Sequence, residues 1–334
     1  MALVVGFVLV LLAGLLQGSF ILPMTLVRKW AWEHTWATFS LLGMIVFNWI
    51  IILILVPNIF AIYSGSPPRD LGVLALFGLG WGVGAVLFGL GMARLGMALG
   101  YPIIMGLIAS LGALIPLLVF FPQALLTPKG WMLLAGTAVM ILGITVCSMA
   151  GSRKEPATAA TSSAAHTGGL IIAILAGILS CLPNVGMAFA KNVTIVAETL
   201  GVSRAWSGNT VWALLFTLGS VANLAYCLTL MFRNNSFRQY WNAETPRNLG
   251  LSALMALLWI GSFYLYGAGA SRLGRWGPVA GWPLFISISI VVGNIWGLWR
   301  GEWRGATVPA RRLLNFGLMT LIVAVVAVAF SNSF

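Results

Sequence analysis

The amino-acid sequence predicts an all-α membrane protein, with ten transmembrane helices built as two inverted five-helix repeats. Three observations lead there. First, 60% of the 334 residues are hydrophobic and only 7% are charged, whereas a soluble domain carries roughly a quarter charged residues. No water-soluble fold hides so much apolar surface, so the surrounding medium is lipid. Second, the apolar residues fall into ten runs of spanning length. Third, the two halves of the chain resemble each other.

The predicted spans cover 2–27, 37–63, 71–93, 97–121, 130–150, 168–190, 208–231, 249–270, 277–299 and 311–331. Met1 to Phe20 has the length of a leader peptide. It lacks a basic start, runs on to Val27 and recurs later in the chain, so it reads as a retained span. Glycines at 78, 80, 84, 89 and 91 lie within an apolar run and read as helix contacts, not as a phosphate-cradling loop. Cys147, Cys181 and Cys227 also lie inside apolar runs and read as small core residues. Many of the fifteen tryptophans flank the runs, where an amphipathic ring suits the headgroup region. Short connections make successive spans antiparallel. The exception is 151–168, GSRKEPATAATSSAAHTG, a linker that divides a first repeat, 1–150, from a second, 169–334.

The repeat is legible residue by residue. Leu71–Gly96 aligns with Leu249–Gly274 at a shift of 178 without a gap, and twelve of the 26 positions are identical. Trp81 pairs with Trp259, Gly89 with Gly267, Gly91 with Gly269, and Arg94-Leu95-Gly96 with Arg272-Leu273-Gly274. Tyr101-Pro102 echoes Trp282-Pro283, and Gln17 in the first span pairs with Ser180 in the sixth. Five spans per repeat is an odd number, so the second repeat enters the membrane in the opposite direction. Inverted repeats are the architecture of many alternating-access carriers.

The formal net charge is +12. Basic residues stand singly or in pairs between the runs, and no stretch is long enough to track a phosphate backbone, so nucleic acid is not a predicted partner. Connections after odd-numbered spans hold twelve Lys and Arg, those after even-numbered spans six. This bias places the odd connections in the cytoplasm and both termini outside it.

No nucleophile motif, zinc spacing or phosphate loop is present, so neither an enzyme nor a metal or cofactor site is predicted. The six acidic residues all fall near span ends or in connections. Of these, Glu33 and Glu198 are the candidates for proton coupling; for Glu33 the structural alternative is pairing with Arg28 or Lys29. Lys191 either faces an anion inside span six or reaches to the surface. The candidate substrate contacts are uncharged polar and aromatic residues within spans: Gln17, Trp81, Tyr101, Asn184, Trp259, Ser262, Tyr264 and Trp282. An aromatic wall with a few amides and hydroxyls suits a neutral, hydroxyl-rich solute with one apolar face; it would also serve an aromatic amino acid. Pro23, Pro102, Pro183 and Pro283 interrupt four spans, which predicts bends around a shared central site.

Particular motifs add a resemblance: Phe20-x-x-Pro23, Lys29-Trp30-x-Trp32-Glu33-x-x-Trp36, Pro57-Asn58, Leu76-Phe77-Gly78 with Trp81-Gly82, Gly89-Leu90-x-Met92-x-x-Leu95-Gly96-Met97, Asn223-Leu224, and Glu302-Trp303. With these the chain resembles the bacterial L-rhamnose–proton symporter family, within the drug/metabolite transporter superfamily. Ala85, Ser262 and Ala270 depart from that pattern, which carries Asn, Gln and His there. The resemblance implies a carrier in the bacterial inner membrane that takes up a 6-deoxy sugar by alternating access, with a proton or sodium ion as the coupling partner and the lipid bilayer as its medium. The alternatives are an exporter or importer of amino acids or other metabolites, and a non-transporting membrane receptor or scaffold.

Overall fold

The structure is a computed structural model that describes residues 2–154 and 163–331. Among the described residues, ten helical segments are long and apolar enough to cross a bilayer: Ala2–Leu26, Trp32–Leu55, Pro68–Leu95, Ile103–Phe120, Gly130–Gly151, Thr167–Phe189, Arg204–Arg233, Thr245–Arg272, Gly277–Trp299 and Val308–Val325. They are numbered here as spans 1 to 10. Large apolar side chains such as Ile54, Leu76, Phe232 and Phe316 point outward. In water each would forgo about 1.5–3 kcal/mol of burial, a loss that hydrocarbon removes. Trp131, Trp241 and Trp299 are exposed at or just beyond span ends, as an interfacial belt requires.

Span 2 differs most from its prediction. It starts at Trp32 rather than residue 37, because Glu33, His34 and Thr35 are buried through partners the hydropathy does not see. It stops at Leu55: Val56 leaves the helical region (φ −140°, ψ 75°) ahead of Pro57, whose ring disfavours helix in the residue before it. The apolar residues beyond form a separate short helix, Ile59–Gly65. The predicted gap between spans 3 and 4 is also absent as a loop, for Pro68–Phe120 is continuously helical over 53 residues. A straight rod of that length would measure about 80 Å against a hydrocarbon core of about 30 Å. It folds back instead: a Cβ on Gly100 would lie 3.4 Å from Gly91 O and 3.5 Å from Met92 Cα. Both ends of the predicted linker, 151–154 and 163–168, are helical. Helix runs through Lys154 and resumes at Ser163, and 155–162 lie outside the described residues.

The chain packs into two compact units, Met1–Val83 with Gly186–Gly274, and Gly84–Val185 with Arg275–Phe334. Each draws on both sequence halves, and the boundaries fall within spans 3 and 6. In the first unit, span 1 runs antiparallel along span 8. Gly6 seats Gly269 and Arg272, and a Cβ on Gly269 would meet Val10. The connections after spans 1 and 7 meet, Ala31 N–H donating to Gln239 Oε1 at 3.0 Å. So do those after spans 2 and 6, Asn58 Nδ2 donating to Leu200 O at 3.1 Å. Odd meets odd and even meets even, as alternating crossings demand. In the second unit, spans 5 and 10 are antiparallel, with Gly143 on Leu321 and Gly317 on Cys147. Span 3 continues along span 6, Gly84 on Leu179 and Gly91 on Ala173. The glycine contacts predicted from sequence are therefore met at 78, 84 and 91, whereas Gly89 faces open space. All three cysteines are buried and free.

The four prolines mark irregularities. Pro23 sits in a 3₁₀ turn, Leu22–Leu26, that closes span 1. Pro102 lies just past the fold-back. Pro183 follows a break at Cys181 between helices Ser163–Ser180 and Leu182–Phe189. Pro283 opens helix Trp282–Trp299 directly after a π turn, Gly277–Gly281.

Candidate functional site

Five of the eight candidate substrate contacts, Gln17, Trp81, Trp259, Ser262 and Tyr264, lie in the first unit, and Tyr101, Asn184 and Trp282 lie in the second. In the first unit the indoles of Trp81 and Trp259 stack, with centroids 5.7 Å apart and planes 20° from parallel. Phe216 braces both, at 5.0 Å from Trp81 and 4.8 Å from Trp259. Phe263, Trp212 and Phe39 complete the cluster. Each such pair contributes about 0.5–1.5 kcal/mol beyond its buried area. At the edge of this wall Ser262 Oγ lies 2.7 Å from Gln17 Oε1 and 2.6 Å from Trp259 O. One hydroxyl hydrogen serves only one of them, so an amide nitrogen of Gln17 facing Ser262 satisfies all three groups.

The seats of the two tryptophans repeat each other. Gly43 rests against Ala256 and Trp259, and Gly219 against Gly78 and Trp81. Under the shift of 178 found in the sequence, Gly78 corresponds to Ala256 and Trp81 to Trp259. Beyond each glycine an asparagine donates to the carbonyl four residues earlier: Asn48 Nδ2 to Met44 O and Asn223 Nδ2 to Gly219 O, both at 3.1 Å. The spacings differ by one residue (43 to 48, 219 to 223). Span 2 absorbs the additional residue in a π turn, Leu41–Phe47, whereas span 7 is plain α-helix there.

Three of the remaining candidates, Tyr264, Asn184 and Trp282, reach main chain. Tyr264 Oη lies 2.9 Å from Asn48 Oδ1 and 3.0 Å from Asn48 O, and Asn48 Nδ2 also reaches Trp212 O. Asn184 Nδ2 donates to Gly112 O and Pro278 O, at 2.7 and 2.8 Å. Trp282 Nε1 donates to Ile108 O at 2.9 Å. Tyr101 packs edge-on to Phe88, 6.5 Å between centroids. Glu198 accepts from Ser207 Oγ at 2.9 Å. Glu33 does not pair with Arg28 or Lys29 as the structural alternative had it. Its Oε1 accepts from Asn234 Nδ2 and Ser236 Oγ, both at 3.0 Å, because the end of span 7 turns back over it. Lys191 is exposed at the start of a short helix outside span 6, which settles it at the surface.

Sequence reasoning missed Phe216, Phe263 and Trp212, which are ordinary apolar letters in apolar runs. It also missed Asn48, which had a signal: a lone amide inside LLGMIVFNWIIILIL.

Ten helices long and apolar enough to cross a bilayer define a multi-pass membrane protein. A family model described as L-rhamnose-proton symport protein matches residues 1–333, and the chain belongs to that family. It is 29% identical over 331 residues to the L-rhamnose-proton symporter of Yersinia pestis (strain Pestoides F), covering 97% of this chain and 96% of the relative. To the protein of the same name from Shigella dysenteriae serotype 1 (strain Sd197) it is 29% identical over 341 residues, covering 99% of each. The family is one of transporters, not enzymes.

Proposed function

We propose that this protein moves L-rhamnose or a closely similar 6-deoxy sugar across the bacterial cytoplasmic membrane, driven by proton entry. The observation that carries this reading is the match of nearly the whole chain to a family whose relatives are described as L-rhamnose-proton symporters. The site chemistry supports it. The stacked Trp81 and Trp259 supply apolar ring surface beside the Gln17–Ser262 pair, whose side-chain hydrogen bond would be exchanged for bonds to sugar hydroxyls. These four are the proposed solute contacts. Tyr264, Asn184 and Trp282 already spend polar atoms on neighbouring helices, so their proposed part is to shape the interior, and Tyr101 acts through its ring.

The proposed mechanism is alternating access between inverted halves, 1–150 and 169–334, with both termini outside the cytoplasm. The matched seats of Trp81 and Trp259 support the duplication. Solute held by one conformation favours closure, and reopening on the other side releases it. The test is uptake of labelled L-rhamnose into proteoliposomes with and without an inward proton gradient. Accumulation that requires the gradient is expected. Absence of counterflow with every 6-deoxy sugar would overturn the assignment, and counterflow with an aromatic amino acid would establish the alternative cargo that the same rings suit.

A further inference from the structure

The mechanism above leaves the proton without an atom to ride on. We infer that Nδ1 of His34 is a proton-binding site of this carrier, with the Glu33 carboxylate as its counter-charge. The inference rests on the proton-driven reading and deepens it.

His34 is 0% exposed in the first turns of span 2. Its Nε2 lies 2.9 Å from Ser236 O. A carbonyl can only accept, so Nε2 bears the hydrogen and Nδ1 presents a bare lone pair. That Nδ1 is buried and has no hydrogen-bond partner, which is rare for a polar atom inside a protein. Trp30 Nε1, a donor, is likewise buried without a partner, and its ring lies 6.3 Å from the imidazole. Tyr240 closes the cluster edge-on at 4.7 Å, and its hydroxyl donates to His34 O at 3.1 Å.

Ser236 ties histidine and carboxylate together. Its carbonyl serves His34, and its hydroxyl donates to Glu33 Oε1. The turn that brings it there is specific. Asn235 takes a left-handed φ of 48°, Asn235 N–H donates to Phe232 O, and Ser236 N–H donates to Met231 O, the paired bonds that close a helix C-terminus. The hydrogen bonds that hold Glu33 come from neutral groups, so its charge is available to a second proton carrier. The titratable groups around the imidazole are Glu33 on its own span, Tyr240 on the connection after span 7, and Cys227 on span 7, which packs with Tyr240. Burial raises the Tyr240 phenol above its ordinary value, so it remains a neutral, fixed donor.

The chemistry is a single proton transfer. A hydronium ion gives its proton to the Nδ1 lone pair and leaves as water, and the reverse step returns the proton to water on the other side. Empty, the cluster holds one buried carboxylate. Loaded, it holds a carboxylate and an imidazolium of zero net charge. Burying a lone ion is far more costly than burying a pair, so the loaded cluster closes more readily, which is what couples the proton to the movement.

His34 and His166 are the only histidines of the sequence, so ¹⁵N-histidine labelling of the full-length H166Q protein isolates His34. The expected spectrum is the Nε2–H tautomer in the neutral ring, with the added proton on Nδ1 when the ring becomes imidazolium on acidification. An Nδ1–H tautomer, or a ring that takes up no proton before the protein unfolds, would overturn the proposal. In proteoliposomes, H34Q is expected to lose gradient-driven accumulation, and E33Q/H34Q, which buries no lone charge, is expected to keep rhamnose counterflow without that accumulation. The steady-state ratio across one pH unit should fall from about tenfold to about one. Wild-type accumulation by H34Q would also overturn it. Absence of rhamnose counterflow in the wild type strikes the sugar assignment instead, and leaves the NMR titration to decide His34 on its own.

Discussion

Replacing Gly219 with alanine tests whether the stacked tryptophans are held by the glycine beneath them. A methyl there would lie 2.5 Å from Trp81 Cε3, 2.9 Å from Cζ3 and 3.0 Å from Gly78 O. Carbon atoms in contact sit about 3.5–4.0 Å apart, so the ring must move by about 1 Å. Trp81 is 9% exposed and wedged between Phe216 and Trp259, so it has nowhere to go without disturbing both. Overpacking costs about 1–3 kcal/mol and each weakened ring pair forfeits part of about 0.5–1.5 kcal/mol, so G219A should lose about 2–4 kcal/mol. Gly43→Ala is the matched control. Its methyl would meet Ala256 Cβ at 3.3 Å and Trp259 Cε3 at 3.4 Å, distances that small shifts relieve, for a cost below about 1 kcal/mol. The assay is the thermal midpoint of detergent-purified protein, with solute counterflow measured in parallel. The midpoint of G219A should fall by several degrees and that of G43A by much less. A G219A midpoint equal to the wild type, or a larger loss in G43A, refutes the reasoning.

Further outcomes follow from other contacts. Gly112→Ala would place its methyl inside the Trp282 indole, so the yield of monodisperse protein in size exclusion should collapse. Tyr264→Phe removes the hydroxyl that reaches Asn48. Chemical denaturation should report a loss of about 1–2 kcal/mol, while the affinity for solute stays within about twofold because that hydroxyl is engaged inside the protein. Ser262→Ala should instead weaken solute binding more than it lowers the thermal midpoint, a split that ligand titration and a melting curve would detect together. A reporter fused after Phe334 should behave as outside the cytoplasm, and a cytoplasmic signal would reverse the proposed orientation.

Much of this architecture could be read from hydropathy, because lipid imposes a length on every crossing. All ten runs became spans, and Pro57 explains why the second ended eight residues early. The start of that span was not legible. Glu33 and His34 look like connection residues until Asn234, Ser236 and Tyr240, some two hundred positions away, supply their partners. Nor could the π turn be read, since Leu41–Phe47 is as apolar as its α-helical counterpart in span 7. The repeat pairs Trp81 with Trp259, and the two rings stack. It could not indicate Phe216 between them, because bracing by an ordinary phenylalanine depends on how spans 3, 7 and 8 cross.

The surplus residue in Leu41–Phe47 has a bearing on how a duplicated carrier behaves. Two identical halves could trade shapes and leave the molecule equally content facing either way. Here span 2 carries a π turn where span 7 is plain α-helix. Under the alternating access proposed above, an exchange of roles between the halves would lead to two poses of unequal energy, and the empty carrier would wait for its cargo on one preferred side.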